Sequence, residues 1–176
     1  MDKKILLLIA MMPLLNFLHE SGHWVGGKLV GADPEMHLQR VEAKDESRLT
    51  STQVSIYNWG GPAVNHTIIS LALVSPALVP VAFMMTCHRL GPNIFASYLY
   101  LSGNRNFTTD ETKQFSKEAR PWAALLFSTI YLGVAILLVR KWVLVSKRLR
   151  IWTAIPAFSV LWLGYLILLD QLDKRS

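Results

Sequence analysis

Two histidines stand four residues apart in the segment His19-Glu20-Ser21-Gly22-His23. On a helix, positions four apart are separated by about 6 Å along the axis and lie nearly on one face, so both imidazoles can meet one metal ion. Catalytic zinc takes ligands of this kind and keeps one position for water. Glu20, beside the metal, is the candidate general base: it would take a proton from that water and pass it to a leaving amine. Three ionisable residues in five positions, directly after an apolar run, are costly unless they face a polar cavity or a metal.

The elements that must position these residues are read from the apolar runs. Of the 176 residues 52% are apolar and only 17% charged, which is low against the roughly 25% of an average water-facing domain. A membrane span needs roughly 20 mainly apolar residues. Residues 62–85, 121–139 and 151–169 meet that length, and 5–25 meets it if Asn16 and the histidine segment are tolerated inside. Residues 92–101 are short, and form either a tilted or broken crossing or a re-entrant piece. The expected fold is an all-α polytopic membrane protein of four to five transmembrane helices. Alternating pieces at 36–41 and 52–57, within the polar stretch 32–52 and just beyond it, are compatible with a small β-hairpin or edge strand between the first two helices.

The net charge is +6 and the pI about 9.6. The basic residues flank apolar runs: Lys3 and Lys4, then Arg140, Lys141, Lys147, Arg148 and Arg150, then Lys174 and Arg175. Lipid headgroups and topology account for them better than nucleic acid does. Cys87 is the only cysteine, which excludes an internal disulfide and a cysteine-based zinc site. The N-terminal run lacks a small-residue cleavage site and reads as a retained helix. The chain is read as one domain, 1–176, with a core over 1–120 and additional helices over 121–176.

His19-Glu20-Ser21-Gly22-His23 is followed by Gly61-Pro62-Ala63-Val64-Asn65, which opens the second long apolar run. Together they resemble the site-2-protease family of intramembrane zinc metalloproteases. Metzincins are excluded, because their extended motif needs a histidine six residues after the second one, where Leu29 stands. The resemblance implies that Asn65 faces the site, to hydrogen-bond a substrate backbone or to support the centre. It also implies an aspartate ligand from a later helix, and Asp110 is the best counterpart, ahead of Glu111 and His66. The family's usual sequence around that aspartate is absent, and Thr108, Thr109 and Asp110 also read as helix N-cap residues.

The expected function is therefore a zinc-dependent intramembrane endopeptidase, multi-pass in the lipid bilayer. Zn2+ would be held by His19, His23 and Asp110, Glu20 would be catalytic, and Asn65 would bind substrate. Its partners would be membrane-embedded or membrane-proximal protein or peptide substrates and a regulatory membrane protein, with no nucleic acid. Strand addition to the polar stretch would receive an unwound substrate. Two alternatives stand beside this reading: a membrane metalloprotease of another family using Glu111 or Glu118 as ligand, and a non-enzymatic membrane scaffold or transport-type protein. His37 and His88 are expected at the surface or interface.

Overall fold

The computed structural model of the chain describes residues 3–37, 40–104, 107–145 and 151–173. The first apolar run forms two helices, α1 (Lys3–Ala10) and α2 (Met12–Leu29). Pro13, in the first turn of α2, has no N–H to bond back into α1. A hairpin follows, β1 (Pro34–Met36) against β2 (Val41–Ala43), antiparallel, with Glu35 opposite Glu42 and Met36 opposite Val41. Helix α3 (Ser51–Val74) begins at a capping box in which Thr50 and Gln53 bond each other's backbone N–H. It ends at Ser75, and a short turn over Pro76–Leu78 leads into α4 (Val79–Leu101). A single-turn helix α5 (Asp110–Lys113) and two long ones, α6 (Arg120–Val145) and α7 (Ile151–Asp173), follow.

Helix boundaries differ from the sequence reading in instructive ways. Residues 52–57, expected as a strand, lie in α3, because the Thr50 cap starts the helix ahead of them. Gly60-Gly61-Pro62 is helix interior rather than a helix start. The run 62–85 is broken at Ser75 and Pro76, and 92–101 is the second half of α4.

Helix α4 is the centre of the bundle, with 16 of its 23 residues buried. Phe83, Met84, Met85, Cys87 and Leu90 share a core with Tyr131, Ala135, Leu138 and Val139 of α6 and with Ile155, Phe158 and Trp162 of α7. Leu8, Met12 and Leu15 extend that core onto α1 and α2. Each such large apolar side chain contributes roughly 1.5–3 kcal/mol by leaving water. The Lys141 ammonium closes the C-terminus of α3, donating to the carbonyls of Ala72 and Leu73 at 2.9 and 2.8 Å.

This architecture corrects the expectation of four to five transmembrane helices. Among the described residues one stretch, Arg120–Lys141 in α6, is long and apolar enough to cross a membrane, on length and composition alone. The other runs fall short for physical reasons. Helix α2 buries Asn16, His19, Glu20 and His23, and α4 buries Thr86, His88, Arg89 and Asn93. Within α7 the apolar stretch among the described residues is Ile155–Leu168. The apolarity of α4 is that of a bundle's core. The multi-pass, bilayer-embedded localisation is corrected with it, as are the lipid bilayer, membrane-embedded substrates and regulatory membrane protein expected as partners. Helix α6 nonetheless turns Trp122, Leu125, Leu126, Ile130 and Leu137 outward. Of the basic residues read as flanking the runs, Lys147, Arg148, Arg150, Lys174 and Arg175 lie outside the described residues.

Helices α2 and α3 meet backbone to backbone. A Cβ on Gly22 would overlap the carbonyl of Gly60, and a Cβ on Gly60 would overlap the carbonyl of Gly22. In contrast, a Cβ on Gly133 of α6 would meet nothing within 4 Å. Gly60→Ala is therefore expected to destabilise the fold by about 1–3 kcal/mol or more. Gly133→Ala should leave stability unchanged or raise it by up to about 1 kcal/mol. Denaturant unfolding of the two variants checks both expectations.

Candidate metal centre

His19 and His23 lie on the buried face of α2, and Asp110 is the first residue of α5. The three are brought together from distant parts of the chain. His19 Nε2 and His23 Nε2 are 3.3 Å apart, and Asp110 Oδ2 is 3.1 Å from the first and 3.3 Å from the second. Ligand atoms on one tetrahedral zinc, about 2.0–2.2 Å from it, lie about 3.3–3.6 Å from one another. The cluster can thus coordinate a metal ion. Thr109 caps α5 through the N–H of Thr112, so the cap falls one residue earlier and Asp110 is left to face the histidines.

Second partners turn each ring. His19 Nδ1 lies 3.2 Å from Asn65 Oδ1, which only accepts, so Nδ1 carries the hydrogen and the Nε2 lone pair points into the cluster. His23 Nδ1 donates to the Tyr57 carbonyl at 3.0 Å, which leaves Nε2 as the ring nitrogen that faces the cluster. Asn65, expected as a substrate-binding residue, is wholly buried and spans two rings, its Nδ2 lying 3.3 Å from His88 Nδ1. His88 itself is buried edge-on against His19 with ring centroids 4.7 Å apart, which corrects its expected place at the surface. Gly61 makes room for the pair: a Cβ there would overlap His23 Nε2 and lie 2.6 Å from His19 Cε1.

A buried cation borders the cluster. Arg89 Nη1 is 3.0 Å from Asp110 Oδ2 and 3.2 Å from His19 Nε2. The rest of its guanidinium forks onto Glu111, with Nε 2.7 Å from Oε1 and Nη2 bonded to Oε2. Glu111 also accepts from Tyr131 Oη at 2.9 Å and Asn93 Nδ2 at 3.1 Å. It is thus saturated by partners away from the histidines and does not join the ligand atoms. His66, the other alternative ligand, pairs with Tyr131 Oη at 2.9 Å.

Charges in the site follow from these contacts. Burial and the Arg89 charge lower the His19 pKa to about 4, which keeps the ring neutral. Asp110 is held well below the usual carboxylate range, because Arg89 and His23 outweigh its burial. Glu20 is pushed up to about 8 by burial, against the opposing pull of His23. Its carboxyl accepts from the N–H of Val41, whose carbonyl accepts from the Tyr57 hydroxyl. The β2 edge at Val41 is therefore engaged by the protein itself. A cavity of about 540 Å3, walled by β2 on one side and Asp110 on the other, opens onto Glu20, His23 and Asn58. The Asp110 side chain is 31% exposed, which makes the cluster reachable.

No family model, no curated protein and no solved structure matches the chain. The site-2-protease resemblance is corrected accordingly: it rests on two short motifs, in a bundle with one membrane-length stretch among the described residues where that family predicts several. The intramembrane zinc endopeptidase activity expected from it is corrected with it. What stands is a His-His-Asp cluster able to hold a metal ion.

The sequence reading missed Arg89, Asn93 and Tyr131. An arginine inside the apolar run of α4 was the available signal, since such a charge requires a buried counter-ion. Removing only Glu111 takes away the bidentate partner and leaves that guanidinium with Asp110 alone: Glu111→Leu is expected to cost about 3 kcal/mol or more in denaturant unfolding, and Arg89→Met combined with Glu111→Leu markedly less.

Proposed function

We propose that the chain binds one zinc ion through His19 Nε2, His23 Nε2 and Asp110 Oδ2, with a fourth position open to the cleft and Glu20 beside it. The observation that carries this reading is the triangle of ligand atoms at 3.1–3.3 Å, two of them lone pairs turned inward by fixed acceptors. Two imidazole nitrogens and one carboxylate oxygen suit zinc. When bound, zinc supplies a charge that acidifies water in an open position. Glu20 is the residue placed to accept a proton there, with its carboxyl steadied by the Val41 N–H. Asn65 and the Tyr57 carbonyl hold the rings, and Gly61 leaves room beside His23 Nε2 and His19 Cε1.

One observation favours a second reading. Arg89 Nη1 reaches both His19 and Asp110, so a guanidinium could supply the positive charge of a purely structural ion network. Zinc titration of metal-stripped protein, read by elemental analysis and competition with a chromophoric chelator, separates the two. The zinc reading expects about one equivalent in the wild type, lost in His23→Ala and Asp110→Ala and kept in Glu20→Gln. Asn65→Ala should weaken zinc by about 10–100-fold. Wild-type protein that takes up no zinc overturns the reading in favour of the Arg89 network.

A further inference from the structure

Within the cleft, Asn58 stands apart from its neighbours. Its side chain is 3% exposed, it lines the same cavity as Glu20, His23 and Asp110, and its Nδ2 is buried with no hydrogen-bond partner. The other buried polar groups around it are engaged. Tyr57 Oη donates to Val41, Arg89 is shared between Asp110 and Glu111, and Thr109 Oγ1 donates to Asn93. A buried amide without a partner is destabilising, so its retention in a cleft wall calls for an acceptor that arrives from outside.

Its place on α3 sets what that acceptor can be. Asn58, Gly61 and Asn65 fall on one buried stripe of the helix. Asn65 orients His19, and Gly61 abuts the metal-facing edges of both rings. Asn58 is one turn before Gly61, about 4.5 Å along the axis. An oxygen two or three bonds from a metal-bound atom spans that separation. Pro62 adds to the polarity of the spot, since it has no N–H to close the helical bond onto the Asn58 carbonyl. A neutral carbonyl oxygen suits an amide donor at this spot without adding a charge to the cleft.

We infer that the Asn58 amide is a ligand-binding donor, which hydrogen-bonds a carbonyl oxygen of a molecule seated in the cleft while a neighbouring atom of that molecule takes the open metal position. The inference deepens the zinc reading and rests on it. Asn58 is a binding residue in this scheme and leaves the metal itself to the three ligands.

Acetohydroxamate, which carries a carbonyl next to a metal-seeking oxygen, is the probe. Its dissociation constant is measured on zinc-loaded full-length protein by calorimetry for wild type, Asn58→Ala and the near-isosteric Asn58→Asp, with zinc affinity measured in parallel. Expected are zinc affinities within about threefold of wild type in both variants, and hydroxamate binding weakened about tenfold in each. The aspartate variant keeps the shape, replaces the donor with an acceptor and adds a charge whose effect on the metal is read by the parallel zinc titration, and the neutral alanine variant removes the donor without adding a charge. Equal hydroxamate affinity in wild type and the aspartate variant, with zinc bound in both, overturns the role of Asn58 and leaves the zinc reading intact. Zinc-loaded wild type that binds no hydroxamate also overturns it. A wild type that binds no zinc removes both.

Discussion

The backbones of α2 and α3 touch at Gly22 and Gly60, and the rest of the centre is spaced from that contact. It brings the Tyr57 carbonyl within reach of His23 Nδ1 and the Asn65 amide within reach of His19 Nδ1. Both bonds run from one helix to the other, so the orientation of the two rings is a property of the helix pair. A helix axis displaced outward by a methyl group would lengthen both at once. The Gly26 side of the same interface is nearly as tight, with the Ile56 carbonyl 3.1 Å from where a Cβ would sit.

Arg89 is the electrostatic counterpart of that steric constraint. Asp110 and Glu111 are adjacent in sequence, and two neighbouring carboxylates, one of them fully buried, would repel each other in the absence of a cation. The guanidinium lies across both, holding Glu111 through a fork and Asp110 through Nη1. Tyr131 and Asn93 complete the Glu111 shell from α6 and α4. A one-turn helix is thereby fixed to the bundle by charge-assisted bonds, where its own few residues could not hold it.

What could be seen in the sequence was local. His19, His23 and Glu20 are named by a spacing that a helix converts directly into a shared face, and Asp110 was reachable as one acidic residue among several. The long-range terms were not. Asn58 looks like an ordinary polar residue in an apolar helix until α2 lies against it, and Arg89 looks like an interruption until Glu111 is placed opposite. The membrane-span reading failed because length and apolarity do not distinguish a lipid-facing helix from one enclosed by other helices. Helix α4 is enclosed, with His88, Arg89 and Asn93 buried midway along it. The break at Ser75-Pro76 was legible in principle, but the glycines ahead of Pro62 gave a stronger turn signal and are instead used for helix contact.

Tyr57 joins the helix pair to the hairpin. Its carbonyl holds His23, and its hydroxyl holds Val41, whose N–H rests on Glu20. The hairpin strand β2 is therefore linked to His23 through Tyr57 and to Glu20 through Val41. A displacement of that strand from the bundle reaches both side chains, so the alignment of His23 with Glu20 depends on how firmly the hairpin is seated.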